Sequence, residues 1–202
     1  MPPDPAKHLT LASGSAIRAD LLRRAGVTLA VAIPKLDEAA IRDSLLAEDA
    51  TPHDIADTLA EMKAVRIAAN TRGLVLGCDQ VLAIGDRVIG KPSDPQDARA
   101  QLAQLSGQTH RLLSAAVLLD DQTPVWRHVG VARLTMHGLS TAFISAYVDR
   151  NWDSIRHSVG CYKIEEEGPR LFSAIEGSHF TIQGLPLLEI LAFLRQRGTL
   201  AT

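Results

Sequence analysis

The chain has 202 residues, 46% hydrophobic and 22% charged, and its 21 basic and 23 acidic side chains leave a net charge of −2. Such a chain reads as one globular domain, or one domain with two lobes, able to bury a core without disulfide or metal staples. The charge balance argues against a nucleic-acid partner, the longest predominantly apolar stretch (residues 112–119, interrupted only by Ser114) is too short for a membrane span, and the Pro-rich start shows no secretory signal.

Residues 2–7 read as a frayed polar tail. A short strand is expected over 8–11, broken by Ala12-Ser13-Gly14-Ser15, with Ser15 as N-cap of a helix over 16–25 that stops at Gly26. Apolar residues then predict a strand over 27–33, ended by Pro34 and followed by Asp37 and Glu38. Thr51-Pro52 opens a helix to about residue 71, and Asp94-Pro95 opens another to about 106. Between them, two strand segments, 74–77 and 81–84, flank Cys78-Asp79-Gln80. Residues 109–119 and 125–136 read as long strands joined by a turn at 120–123, and helices are expected over 140–148 and 186–197. Alternating elements followed by adjacent long strands predict an α/β fold with a mixed sheet.

The sequence has no P-loop, no dinucleotide fingerprint, no nucleophile elbow and no HExxH pair. Cys78 and Cys161 lack CxxC spacing, which fits a reducing cytoplasm and two packing residues. Four features carry chemistry. Ser13 to Arg18 joins a strand to a helix N-terminus, where unpaired N–H groups suit a phosphate; the plainer alternative is a capped helix with a solvated arginine. Asp79 interrupts a run that otherwise reads as buried, so it is either paired, on a metal, or a turn residue. Of the adjacent Asp37 and Glu38, only one can face a site, and a helix N-terminal acid pair is the favoured local reading. Lys63, and Lys91 held between Gly90 and Pro92, would supply cations, although lysines are usually solvated. Together these residues suit a phosphorylated substrate with a divalent metal.

At Leu11-Ala12-Ser13-Gly14-Ser15-Ala16-Ile17-Arg18 the chain resembles the first motif of the Maf nucleotide pyrophosphatases. Asp37-Glu38, Lys63-Ala64, Gly77-Cys78-Asp79-Gln80, Gly90-Lys91-Pro92 and Leu105-Ser106-Gly107-Gln108-Thr109-His110 follow in that family's order and spacing. So do Gly160-Cys161-Tyr162-Lys163-Ile164-Glu165, Ile175-Glu176-Gly177-Ser178 and Gly184-Leu185-Pro186-Leu187. The resemblance implies an elongated, two-lobed α/β fold shared with inosine triphosphatases, forming a single domain around a central cleft. It implies hydrolysis of nucleoside triphosphates to monophosphate and pyrophosphate with a divalent cation (Mg²⁺, Mn²⁺ or Co²⁺), a cytoplasmic homodimer, a role in clearing non-standard nucleotides and a link to cell-division arrest. Asp79, Lys63 and Lys91 match catalytic positions, Glu38 and Asp79 the metal site, and Ser13, Ser15, Arg18, Gln80 and Glu165 the substrate site. Many members carry two arginines in the first motif, where this chain has Ile17-Arg18. Gln80 and Glu165 resemble the subgroup associated with 7-methyl-GTP, although that subgroup has tryptophan where Ile17 stands. A non-catalytic nucleotide-binding regulator and a phosphomonoesterase are the rival expectations.

Overall fold

A computed structural model describes residues 9–200; the tail expected over 2–7 lies outside them. In chain order the elements are β1 (Leu9–Ala12), α1 (Ala16–Arg24), β2 (Leu29–Ala32), α2 (Glu38–Ala47), α3 (Pro52–Ala68), β3 (Leu74–Ile84), β4 (Arg87–Ile89), α4 (Pro95–Leu105), β5 (Thr109–Asp120), β6 (Thr123–Met136), α5 (Thr141–Ile155), β7 (Phe172–Glu176), α6 (His179–Ile182) and α7 (Leu187–Gln196). Seven strands form one mixed sheet in the order β2-β1-β3-β5-β6-β7, with β4 paired to β3. β1 runs parallel to β2 and β3, while β3, β5, β6 and β7 are antiparallel to their neighbours in turn.

The helix starts follow their capping chemistry. The Thr51 hydroxyl accepts from the Asp54 N–H and the Asp94 carboxylate from Gln96 and Asp97, each cap followed by proline at the first helical position. The β5–β6 connection is a two-residue loop, Asp121-Gln122, with positive φ at both residues (42° and 73°). Such a turn matches the twist of the paired strands.

Two expectations change. β3 is one unbroken 11-residue strand rather than two segments around a turn. Asp79 sits inside it because its charge is paired and its backbone is laddered to Ala115 on β5. The helix expected over 140–148 runs on to Ile155, since Ile144, Tyr147, Val148 and Ile155 continue one buried face.

Side chains alternate along β3 and β5, and the alternation places the cores. Val75, Val81, Leu113, Ala115 and Val117 face α3 and join Ile55, Leu59 and Ala60 in one cluster. On the other face, Leu76, Cys78, Ala116 and Leu118 pack with α1 and α7. Further along that same face, Leu82 and Leu112 belong to a third cluster with α4 and α5. Between these two clusters lies a polar seam. There Gln80 Nε2 donates toward Ser114 Oγ and the Thr181 and Ile182 carbonyls, each at 3.0 Å, and Ser114 Oγ donates to the Thr181 carbonyl at 2.7 Å.

Candidate active site

Gly77 lets α3 press directly on β3. A Cβ there would lie 2.0 Å from the Ala60 carbonyl oxygen and 2.7 Å from the Ala64 nitrogen, so only glycine permits the approach. Lys63, next to Ala64, is thereby brought over Asp79, which stands two residues along β3 on the same face as Gly77. Lys63 Nζ donates to Asp79 Oδ1 at 2.6 Å and lies 2.9 Å from Glu38 Oε1. The lysine is therefore not a solvated surface residue: it is 5% exposed, and Asp79 is 6% exposed. Burial raises the Asp79 carboxyl above the usual range, against the opposing pull of Lys63 and Arg18. Partial burial works the same way on Glu38, but Lys63, with help from Lys91 and Arg18, holds that carboxyl below its ordinary value.

Glu38 owes its place to its neighbour. Asp37 is the N-cap of α2, its carboxylate accepting from the Ala40 N–H at 3.0 Å. Asp37 therefore completes the helix end, while Glu38, at the first helical position, lines the cleft. α2 itself has no fully buried residue; Ile41 and Leu45 pack partly against the α3 core.

The β1–α1 loop lines the same cleft. Ser15 occupies the N-cap of α1 in extended conformation, yet its hydroxyl makes no capping bond. The first-turn N–H groups thus keep their capacity for an anion. Ser13 Oγ accepts from the Ser15 N–H and from Arg18 Nη1, each at 3.2 Å. Arg18 is not solvated. Its Nε donates to the Gly184 carbonyl at 2.7 Å and its Nη1 to the Cys78 carbonyl at 2.9 Å, tying α1 to β3 and to the loop before α7. Gly184 has a φ of 93°, and a Cβ there would lie 3.2 Å from the guanidinium.

The nine residues singled out from the sequence all line one cleft of about 860 Å³: Ser13, Ser15, Arg18, Glu38, Lys63, Asp79, Gln80, Lys91 and Glu165. Their settings differ. Lys91 is exposed in its Gly-Pro turn, and Glu165 is exposed in a turn. Gln80 is on the sheet face opposite Asp79, with its amide nitrogen engaged in the polar seam. Arg42 and Lys163 also line the cleft without having been picked out. Arg42 is one helical turn beyond Glu38, a spacing that by itself does not separate it from a solvated arginine. Cys78 and Cys161 are fully buried, and burial pushes their thiols up to about 11 and about 12, which makes them inert packing residues.

Glu38 and Asp79 are hard oxygen donors, each with one oxygen on Lys63 and the other unpaired among the described residues. No group of three or more His, Cys, Asp or Glu among the described residues could hold a metal ion. The pair fits a hard divalent cation that takes its remaining ligands from substrate phosphates and water.

A cleft at an α/β sheet, lined by a lysine-bridged carboxylate pair and by an open helix N-terminus, suits an enzyme acting on a phosphorylated substrate. Residues 8–197 match the family of Maf-like proteins, and the chain belongs to that family. It is 57% identical over 195 residues to the nucleoside triphosphate pyrophosphatase of Ruegeria pomeroyi, covering 96% of this chain and 98% of that protein. The nucleoside triphosphate pyrophosphatase of Caulobacter vibrioides is 47% identical, with 95% and 96% covered. The 7-methyl-GTP pyrophosphatase of Brucella abortus is 46% identical, with 93% and 95% covered. A solved dITP/XTP pyrophosphatase of Mycobacterium abscessus aligns over 95% of each chain at 14% identity and a TM-score of 0.42.

Proposed function

We propose that the chain hydrolyses nucleoside triphosphates at the α–β phosphoanhydride bond, releasing nucleoside monophosphate and pyrophosphate. The observation that carries this reading is the Glu38–Lys63–Asp79 cluster in the cleft beside the α1 N-terminus, and the names of the relatives at 57% and 47% identity support it. The α1 N–H groups, the Ser13 and Ser15 hydroxyls and Lys91 receive phosphate oxygens. Asp79, whose carboxyl burial makes a stronger proton acceptor than a solvated carboxylate, takes the proton of the attacking water. The water oxygen bonds to the α-phosphorus, the bond to the bridging oxygen breaks, and pyrophosphate leaves with the electron pair. Lys63 steadies Asp79 before the proton arrives and offsets charge afterwards. Glu38 and Asp79 would hold Mg²⁺, Mn²⁺ or Co²⁺, which when bound supplies Lewis-acid polarisation of the phosphate oxygens.

Modified guanine nucleotides are the proposed substrates, because Glu165 lies at the cleft wall and a carboxylate accepts from the two adjacent donors of guanine. The relative named 7-methyl-GTP pyrophosphatase supports that choice. House-cleaning of the nucleotide pool, a link to division arrest, a cytoplasmic location and a homodimeric state complete the proposal. Among the described residues, no helix is long and apolar enough to cross a membrane. The test is product analysis after incubation with nucleoside triphosphates and Mg²⁺ or Mn²⁺. Monophosphate with pyrophosphate is expected; orthophosphate with diphosphate overturns the proposal.

A further inference from the structure

The cations of the cleft are not equally occupied. Lys63 is bound by two carboxylates, and Arg18 by two carbonyls and a hydroxyl. Arg42 differs. Its nearest carboxylate is the neighbouring Asp43, at 3.7 Å from Nε, which is too long for a hydrogen bond, and that side chain is 72% exposed. Among the described residues its guanidinium makes no hydrogen bond, yet the side chain is only 28% exposed.

The reason is the turn beneath it. The guanidinium lies on Gly90, its atoms 3.4–3.6 Å from where a Cβ at that position would stand. The next residue, Lys91, has no ion-pair partner among the described residues and lines the same cleft. Two cations that line one cleft thus make no hydrogen bond to an anion among the described residues: Asp43 stands 3.7 Å from Arg42, and Glu38 acts on Lys91 only through its charge. Such an arrangement leaves the donors of both side chains available to an incoming anion and adds positive potential to that part of the cleft.

Arg42 stands one helical turn from Glu38 on the cleft-facing side of α2. Glu38 is pinned to Lys63, so that side of the helix is fixed toward the cleft. We infer that Arg42, with Lys91, clamps the β,γ-phosphate end of the triphosphate, the part that departs as pyrophosphate. A planar guanidinium suits this task, since it can donate two parallel hydrogen bonds to one phosphate group and takes up charge as the leaving group gains it. The assignment rests on the proposed triphosphate hydrolysis for its meaning, but not for its test.

The test is calorimetric titration of inorganic pyrophosphate, and separately of a nucleoside monophosphate, into wild type and Arg42→Met in the presence of Mg²⁺. Methionine keeps an unbranched apolar side chain on α2 and removes the guanidinium charge. Pyrophosphate affinity is expected to fall roughly 10- to 100-fold, the scale of hydrogen bonds to a charged group, while monophosphate affinity stays unchanged. Arg42→Lys is expected to recover part of the loss, because it restores charge without the planar fork. Equal pyrophosphate affinity in wild type and Arg42→Met overturns the inference, as does a parallel loss for both ligands. A wild type that binds pyrophosphate through Arg42 but releases none from triphosphates leaves the clamp standing and removes the hydrolytic reading alone.

Discussion

Replacing Asp79 by asparagine removes one negative charge and keeps the shape of the side chain. Lys63 loses its partner at 2.6 Å but keeps Glu38 at 2.9 Å, and the amide oxygen can still accept from the ammonium. Stripping a buried ion of its whole partnership costs about 3–5 kcal/mol. Here the partnership is only reduced, and the group removed is one whose ionised form burial disfavours. The two effects oppose, so the net change in stability is expected within about 1 kcal/mol, a shift of roughly 2–4 °C in melting temperature for a domain of this size. Activity should behave differently: without a proton acceptor, kcat is expected to fall roughly 10²- to 10⁴-fold. Thermal melts at pH 7.5, together with a pyrophosphate-release assay at saturating substrate, separate the two outcomes. Turnover within tenfold of wild type would refute the assignment of Asp79 as proton acceptor. A stability loss above about 3 kcal/mol would refute the account of the charge cluster.

Three further outcomes are expected. Arg18→Lys abandons the Gly184 and Cys78 carbonyls; leaving buried acceptors unpaired should cost about 2–4 kcal/mol in urea denaturation, and a stability equal to wild type would show that the guanidinium clamp holds nothing. His110 is buried, with Nε2 2.7 Å from the Tyr162 hydroxyl, and its Nδ1 has no partner among the described residues. Burial pushes its pKa down from 6.5 to about 4. Between these values the unfolded chain takes up a proton that the folded one refuses, so the contribution is fully present above pH 6.5 and is lost as pH falls toward 4, by on the order of 2–3 kcal/mol. Denaturant titrations at pH 7 and pH 5 should show this loss in wild type and a smaller one in His110→Gln; equal losses would count against it. Glu165→Gln should shift kcat/KM by about 1–3 kcal/mol from guanine toward uracil and thymine triphosphates, and a ratio left untouched would remove Glu165 from base recognition.

Punctuation was legible where its chemistry is local. Thr51-Pro52 and Asp94-Pro95 mark real helix starts because cap and proline act within one turn, and the turn between β5 and β6 is specified by its own backbone. The nine residues singled out from the sequence all line the same cleft. What escaped depends on partners distant in sequence. The continuity of β3 through Asp79 needs Lys63, 16 residues earlier on another element. β4 and β7 exist only as pairings with longer strands. The engagement of Gln80 with Thr181 and Ile182 spans about half the chain. Arg42 looks like any helix-surface arginine until Gly90 is seen beneath it.

The helix that carries Glu38 and Arg42 buries no residue completely. Its anchorage is the Glu38 contact with Lys63 and the partial packing of Ile41 and Leu45. Such a segment belongs to the least stable cooperative unit of a fold, one that detaches while the sheet stays intact. Its amide hydrogens should exchange through that local detachment, far faster than those of β3 and β5. Because both side chains ride on one helix, a local detachment would carry them out of the cleft together, and the wall proposed to grip the leaving group would then also be the door through which it departs. A slow step at that door would cap turnover however fast the bond breaks.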